Sequence, residues 1–259
     1  MPNESENTRP TISNIRKMLS QAEKGGVQNT IQNCVTVLQN DPILADSIRL
    51  NLLSERIDIV KPMGWQRSGR TLTDTDMMYI LRRMEKYGLY SEKRVSAAIR
   101  IVANENHYHP IRDYLNELKW DGTARISRAL HRFLGAAEDE LTTEALKIFL
   151  LGAIKRVFHP GCKFEMMLCL VGGQGTGKSS FFRLLAIKDE WFSDDLRRLD
   201  DDNVFRKLQG HWIMEMSEMI ATANAKSIEE IKSFLSKQKE TYKIPYETHP
   251  ADRLRQCVF

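Results

Sequence analysis

Apolar residues recur every three or four positions through much of the chain before residue 160, which is the spacing of amphipathic helices. The pattern predicts helices over residues 11–22, 27–39, 74–87, 91–104, 110–120, 126–134 and 142–159. Residues 56–60 alternate in the manner of a short strand before Pro62. The pattern therefore predicts an α-rich region with a small β element over residues 11–140, after a polar, disordered start at residues 1–10.

The spacing of the apolar residues changes after Pro160-Gly161. A continuous apolar run at residues 164–171 predicts a strand, and residues 180–186 predict a helix. A second short apolar run, residues 212–214, predicts a buried strand, and residues 227–234 predict a further helix. This succession predicts an α/β core over residues 141–259.

A glycine-rich segment, Gly-Gly-Gln-Gly-Thr-Gly-Lys-Ser, joins the first of these strands to its helix. Glycine allows backbone N–H groups to approach a phosphate closely, and the helix N-terminus adds positive potential. Lys178 is placed to reach the β- and γ-phosphates, and the Ser179 hydroxyl is placed to bind magnesium. The predicted nucleotide-binding residues are Gly172, Gly173, Gln174, Gly175, Thr176, Gly177, Lys178, Ser179 and Ser180. The sequence thus predicts a P-loop NTPase that binds ATP and Mg²⁺.

Two carboxylates follow the apolar run at residues 212–214. A phosphate-binding loop needs an acidic partner that holds the magnesium shell or polarises the attacking water. We assign Glu215 to the metal shell and Glu218 to water activation, although the two roles are interchangeable at this stage. Together with Lys178 they are the predicted catalytic residues. The alternative is that both are solvated glutamates at a strand end.

Composition narrows the class of protein only moderately. A hydrophobic fraction of 42% is ample for a folded core, and the formal net charge of +4 is too small to name a partner. The N-terminus lacks a secretion signal and no run approaches the ~20 apolar residues of a membrane span, which predicts a soluble cytoplasmic protein. Four cysteines without a C-x-x-C pair predict reduced thiols. His107 and His109 have no third ligand nearby in sequence, so zinc is not expected.

Basic residues near the C-terminus allow two interpretations. Lys237, Lys239, Lys243, Arg253 and Arg255 would suit a DNA backbone or the phosphates of a neighbouring subunit's nucleotide, and a solvated surface is equally compatible with them. Lys232, on the last predicted helix, is either a contact near the nucleotide or part of a solvated face.

Several landmarks occur in an order that resembles the virulence-associated protein E family. They are residues 109–115, 120–122, 160–164, 172–179, 212–215 and 232–235. The likeness spans residues 30–259. It implies a replication ATPase of prophages, plasmids or pathogenicity islands, with a core similar to superfamily 3 and other AAA+ helicases, a ring of identical subunits and single-stranded DNA as partner.

The chain departs from that family pattern in two places. Lys243 stands where the family usually has arginine, ahead of Pro245-Tyr246. Residues 255–259 resemble the start of the strand that leads in the family to a sensor motif, so we expect the sensor asparagine and arginine finger to be missing. This leaves a second functional hypothesis, an ATP-loaded module that regulates a replication or phage-assembly partner without efficient turnover. A small-molecule kinase is a third, but nothing in the sequence resembles an acceptor site.

Overall fold

The computed structural model describes residues 10–196, 199, 204–216, 225–242 and 251–259. The chain divides into two compact units, Met1–Pro110 and Ile111–Phe259. The predicted disordered start falls outside the described residues except for Pro10. The division at residue 110 lies ahead of the boundary at residue 140 drawn from the sequence, because the helices over residues 111–140 group with the C-terminal unit.

Over residues 10–110, the first unit contains four helices and a small antiparallel sheet. These are α1 (Ile12–Met18), α2 (Ile31–Asn40), β1 (Ile48–Asn51), β2 (Arg56–Ile59), α3 (Asp74–Glu85) and α4 (Glu92–Glu105). Threonine side chains cap α1, α2 and α3 at Thr11, Thr30 and Thr73 by accepting a hydrogen bond from the third helical residue. The apolar sides of these helices form one core, whose fully buried members include Cys34, Leu38, Ile80, Met84, Val95 and Ile99.

The predicted strand at residues 56–60 is confirmed as β2. It pairs with β1 in a register that joins Ile48 to Ile59 and Asn51 to Arg56. The first predicted helix is shorter than expected, because Leu19 is extended and residues 20–28 turn back through an antiparallel bridge between Gln21 and Val27. The turn uses Gly25 and Gly26, both at positive φ.

A buried carboxylate fixes the loop that follows β2. Asp76, on the first turn of α3, accepts hydrogen bonds from Trp65 Nε1 at 2.8 Å, from Arg67 Nε at 2.8 Å and from Thr73 N at 2.9 Å. Burial alone would raise the pKa of Asp76, but the hydrogen bonds from Arg67, Trp65 and Thr73 hold it well below its usual range. The carboxylate is therefore ionised and organises residues 65–76.

The second unit is built on a long helix. Its helices are α5 (Pro110–Glu117), α6 (Ile126–Leu134), α7 (Glu140–Phe158), α8 (Lys178–Leu185), α9 (Val204–Leu208) and α10 (Ala225–Ser236). Its strands are β3 (Phe192–Ser193), β4 (Ile213–Met214), β5 (Lys239–Tyr242) and β6 (Ala251–Leu254). β3 and β4 are parallel, and β5 and β6 are antiparallel. Among the described residues every assigned sheet has two strands.

The prediction of a regular strand at residues 164–171 is wrong. This segment has no assigned secondary structure, none of its residues is fully buried, and Val171 is 99% exposed. Its neighbour is the short stretch at the C-terminus, where Leu168 N donates to Phe259 O at 3.1 Å. A β-ladder needs repeated hydrogen bonds between two extended segments. The hydrogen bond from Leu168 to the C-terminal residue does not by itself form one.

Candidate nucleotide-binding site

The glycine-rich loop lies between the irregular segment and α8. Gly175 and Gly177 have φ angles of 79° and 84°, a region that L side chains rarely adopt. A Cβ added to Gly172 or Gly173 would meet Thr176 at 3.8 Å, which is ordinary contact. The backbone thus requires glycine at residues 175 and 177, whereas residues 172 and 173 have room for a side chain.

Lys178 is the first residue of α8 and is held by the loop itself. Its Nζ donates to Gly172 O at 2.9 Å, to Gly173 O at 2.6 Å and to Thr176 Oγ1 at 3.2 Å. Thr176 Oγ1 in turn donates to Gly173 O at 3.0 Å. The ammonium group and the loop backbone therefore form one compact arrangement, in which the lysine charge lies beside the N-terminus of α8.

Ser179 reaches the carboxylate that the sequence singles out. Its Oγ donates to Glu215 Oε1 at 2.7 Å. Glu215 directly follows β4, and its backbone N donates to Ser193 O at 2.8 Å, which extends the parallel pairing by one residue. The structure thus brings together a hydroxyl and a carboxylate of the type that bind magnesium. Glu218 lies outside the described residues.

The loop is open to solvent. Residues 172–177, 179 and 180 are exposed, and Lys178 is half-buried. Immediately behind it, Phe181 and Phe182 of α8 are buried, and the Phe182 ring meets the ring of Phe149 of α7 edge-on at 5.8 Å. The exposed loop is therefore followed by a helix that packs against α7.

Short chain segments lie side by side beneath this site. Trp212 N donates to Trp191 O at 2.8 Å, linking the β3 and β4 regions. Met214 N donates to Val258 O at 2.9 Å, and Val258 N donates to Trp212 O at 3.0 Å. Since Phe259 O also accepts from Leu168 N, the C-terminal residues lie between β4 and the segment that leads into the loop.

Sequence reasoning missed the contribution of α7. Arg156 is buried, and its guanidinium donates to Cys257 O at 2.9 Å and to Phe164 O at 2.7 Å. Burial lowers the pKa of Arg156. Trp212 Nε1 donates to Ala153 O of the same helix at 3.0 Å. An arginine on a helix ordinarily indicates a solvated face, so no signal in the sequence identifies this position.

Gly152 allows α7 to approach the segment before the loop. A Cβ added at this glycine would lie 2.1 Å from the nearest atom of the Phe164 ring. Such a contact is impossible without displacement of the ring or the helix. The ring therefore sits directly against the helix backbone.

The C-terminal basic residues are largely engaged within the protein. Arg255 is buried and pairs with Glu240, and Lys239 pairs with the Asp252 carboxylate. Lys237 lies 4.0 Å from Glu240. Lys243 lies outside the described residues. Arg255 is therefore not part of a surface, whereas Lys237 and Lys239 lie on one, in partly exposed pairs.

Lys232 and the cysteines are not part of the candidate site. Lys232 is exposed and pairs with Glu229 at 2.7 Å, as expected for a solvated helix face. All four cysteines are free. The described residues contain no group of three or more His, Cys, Asp or Glu side chains that could hold a metal ion. Within the same residues, no helix combines the length and apolar character that a bilayer crossing requires.

The comparison with known families agrees with the resemblance seen in the sequence. The profile of the Virulence-associated protein E-like domain matches residues 115–259, which is more than half of the chain. The chain belongs to this family. No curated protein matches it.

Proposed function

We propose that the protein is a magnesium-dependent ATPase, similar to helicases, that acts in the replication of mobile-element DNA. Family membership associates the chain with mobile elements. The observation that carries the enzymatic part is the 2.7 Å hydrogen bond from Ser179 Oγ to Glu215 Oε1, beside a loop whose lysine lies at a helix N-terminus. We propose an α/β P-loop core for the second unit.

The chemistry of the site fits Mg·ATP. Backbone N–H groups at the start of α8 and the Lys178 ammonium suit a polyphosphate, and oxygen ligands from Ser179 and Glu215 suit magnesium. Magnesium in such a site neutralises charge that develops on the phosphates. Lys178 would hold the β- and γ-phosphates, and Glu215 would orient the metal shell, with Glu218 as the proposed water-activating group.

Single-stranded DNA is the proposed partner, and a homo-oligomeric ring in the cytoplasm is the proposed working form. The second candidate function is an ATP-binding regulatory module that acts on a replication or phage-assembly protein and turns ATP over slowly. The specific observation that favours it is the site's exposure, since efficient hydrolysis generally requires a site from which bulk water is excluded.

Calorimetry and turnover assays separate these possibilities. Mg·ATP and Mg·ADP are titrated into the wild type, Lys178→Ala and the control Lys147→Ala, which removes an exposed lysine paired with Glu144 on α7. We expect binding that is lost only in Lys178→Ala, and turnover that single-stranded DNA raises. Tight binding without turnover favours the regulatory module. The absence of binding heat in well-folded wild type rejects both functions.

A further inference from the structure

A continuous exposed surface lies between α5 and α6 and has no role in the nucleotide site. Trp120 is 82% exposed and Leu118 is 54% exposed. Every residue from 116 to 128 is exposed. A tryptophan with this accessibility is unusual for a folded protein, because its large apolar surface is normally at least partly covered.

A hydrogen-bonded turn follows the tryptophan. Asp121 accepts hydrogen bonds from Arg125 Nη1 at 2.8 Å and Arg125 Nη2 at 2.5 Å, and from Thr123 N at 3.0 Å. Gly122 has a φ of 82°, which closes the turn. A bidentate pair orients both of its partners, so the turn that joins Trp120 to α6 has a defined form.

A row of arginines continues from this turn along α6. Arg125, Arg128 and Arg132 are spaced three and four residues apart and share one face of the helix, which we call the basic ridge. The opposite side of α6 carries the buried Leu130. Phe133, next to Arg132, is itself exposed, and its ring lies 6.4 Å from that of Phe181. Leu130 thus packs inward, while Arg125, Arg128 and Arg132 remain exposed.

The ridge is available to an anionic ligand. Over residues 118–133 there are four cationic side chains, Lys119, Arg125, Arg128 and Arg132, against the single carboxylate of Asp121. The Arg128 partner, Glu138, lies 3.2 Å away in a pair whose side chains are 78% and 52% exposed. Exposed pairs of this kind contribute little and exchange readily for a phosphate.

We propose that Trp120 and the basic ridge bind single-stranded nucleic acid. Unpaired bases stack on exposed aromatic rings, and arginines along a helix face follow the phosphate backbone. A duplex fits less well, because its bases are already stacked and cannot engage Trp120. The partner class rests on the proposed replication function, but the surface itself does not depend on ATP binding.

The test measures fluorescence anisotropy of labelled oligothymidylate and oligouridylate with the full chain, without nucleotide. Trp120→Ala is expected to weaken binding about 5- to 150-fold, from the range measured for base–aromatic stacking. Arg128→Ala/Arg132→Ala is expected to reduce the slope of log K against log salt by about 1.4, or about 0.7 per lost phosphate contact. The two oligonucleotides establish whether the surface prefers DNA or RNA.

Controls and a second readout keep the test specific. Tyr90→Ala and Arg100→Ala remove an exposed aromatic residue and an exposed arginine from the first unit and should leave binding unchanged. Trp65 is only partly exposed, and Trp191 and Trp212 are buried, so quenching of tryptophan fluorescence by the oligonucleotide should disappear in Trp120→Phe. Circular dichroism verifies the fold of each variant.

Two results overturn the proposal. One is equal affinity and equal salt dependence in the wild type, Trp120→Ala and the double arginine variant. The other is a wild type that binds neither oligonucleotide at low salt. Since no nucleotide is present, a failure of Mg·ATP binding affects only the proposed ATPase function.

Discussion

Arg156 donates a 2.7 Å hydrogen bond to Phe164 O while its other terminal nitrogen donates to Cys257 O. One buried side chain of α7 thereby ties the segment that enters the phosphate-binding loop to the C-terminal residues beside β4. Both carbonyls are separated from the arginine in sequence, so the guanidinium fixes their mutual position.

Replacement of Arg156 by methionine should lower the free energy of unfolding by about 2–4 kcal/mol. Two carbonyls would lose their donors, and each buried unsatisfied group costs about 1–3 kcal/mol, partly offset because a buried charge is removed. Urea denaturation measures the change. Lys155→Met, at the exposed neighbouring position on α7, is the control and should be close to neutral. Equal stability of the two variants would contradict the structural role of Arg156.

Gly152→Ala should destabilise the second unit by about 1–3 kcal/mol, which is the usual cost of forcing extra atoms into a packed site. The added methyl group meets the Phe164 ring, so the double variant Gly152→Ala/Phe164→Val should recover part of the loss. Thermal unfolding followed by calorimetry measures both. Gly69→Ala is the matched control, since a Cβ there meets nothing within 4 Å. Identical effects at residues 69 and 152 would reject the close approach.

The glycines of the phosphate-binding loop should separate into two classes. Gly177→Ala forces a positive φ on alanine and should cost about 1–2 kcal/mol of stability. Gly172→Ala should leave stability unchanged, because its Cβ makes only ordinary contact. If Gly172→Ala is as stable as the wild type but no longer binds Mg·ATP in calorimetry, glycine is needed at residue 172 to let the ligand approach the backbone. An unfolding curve for Gly177→Ala that matches the wild type would contradict the assignment.

Lowering the pH should reduce the stability of the first unit, because Asp76 becomes protonated. Its folded pKa is depressed below an unfolded value of about 3.9, so the carboxylate stabilises fully above that value. The contribution is lost as the pH falls through the folded pKa. Asp76→Asn should cost about 3–5 kcal/mol at pH 7, as for a buried pair that loses one partner, and the difference from wild type should shrink in strong acid.

Denaturation curves of the wild type and Asp76→Asn from neutral pH to about pH 2 test this linkage. The exposed Asp74, in the same turn of α3, provides the control variant Asp74→Asn, which should cost far less. A constant difference between wild type and Asp76→Asn across the whole pH range would show that the carboxylate charge is not the stabilising feature.

The sequence predicted correctly those helices that have a clear apolar side and a clear stop signal. α6 occupies the predicted residues 126–134, because its apolar side and polar side alternate cleanly and Gly135 at positive φ ends it. Ser179 and Glu215 were both assigned to the magnesium site from a fixed loop spacing and from a carboxylate after an apolar run, and a hydrogen bond joins them in the structure, while their metal-binding role stays a prediction.

Long-range partners explain what the sequence did not predict. Arg156 and Arg255 are buried with their terminal nitrogens donating to carbonyls and a carboxylate that the fold brings near, and no local pattern encodes those partners. The apolar run at residues 164–171 has strand composition, but strand structure depends on neighbours that supply a ladder. Composition likewise allowed a surface position for Arg255, which the structure instead buries against Glu240.

Phe133 links the proposed nucleic-acid surface to the nucleotide site, since its ring contacts Phe181 on the helix that begins at Lys178. If both proposals hold, single-stranded DNA and Mg·ATP should strengthen each other's binding by an equal factor, because binding free energies are reciprocally coupled. Phe133→Ala should reduce that factor towards one while each ligand alone still binds. Titration of Mg·ATP with and without saturating oligothymidylate measures it, with Leu184→Ala, an exposed position on the same helix as Phe181, as the control. A coupling factor unchanged in Phe133→Ala would exclude this contact as the route between the two surfaces.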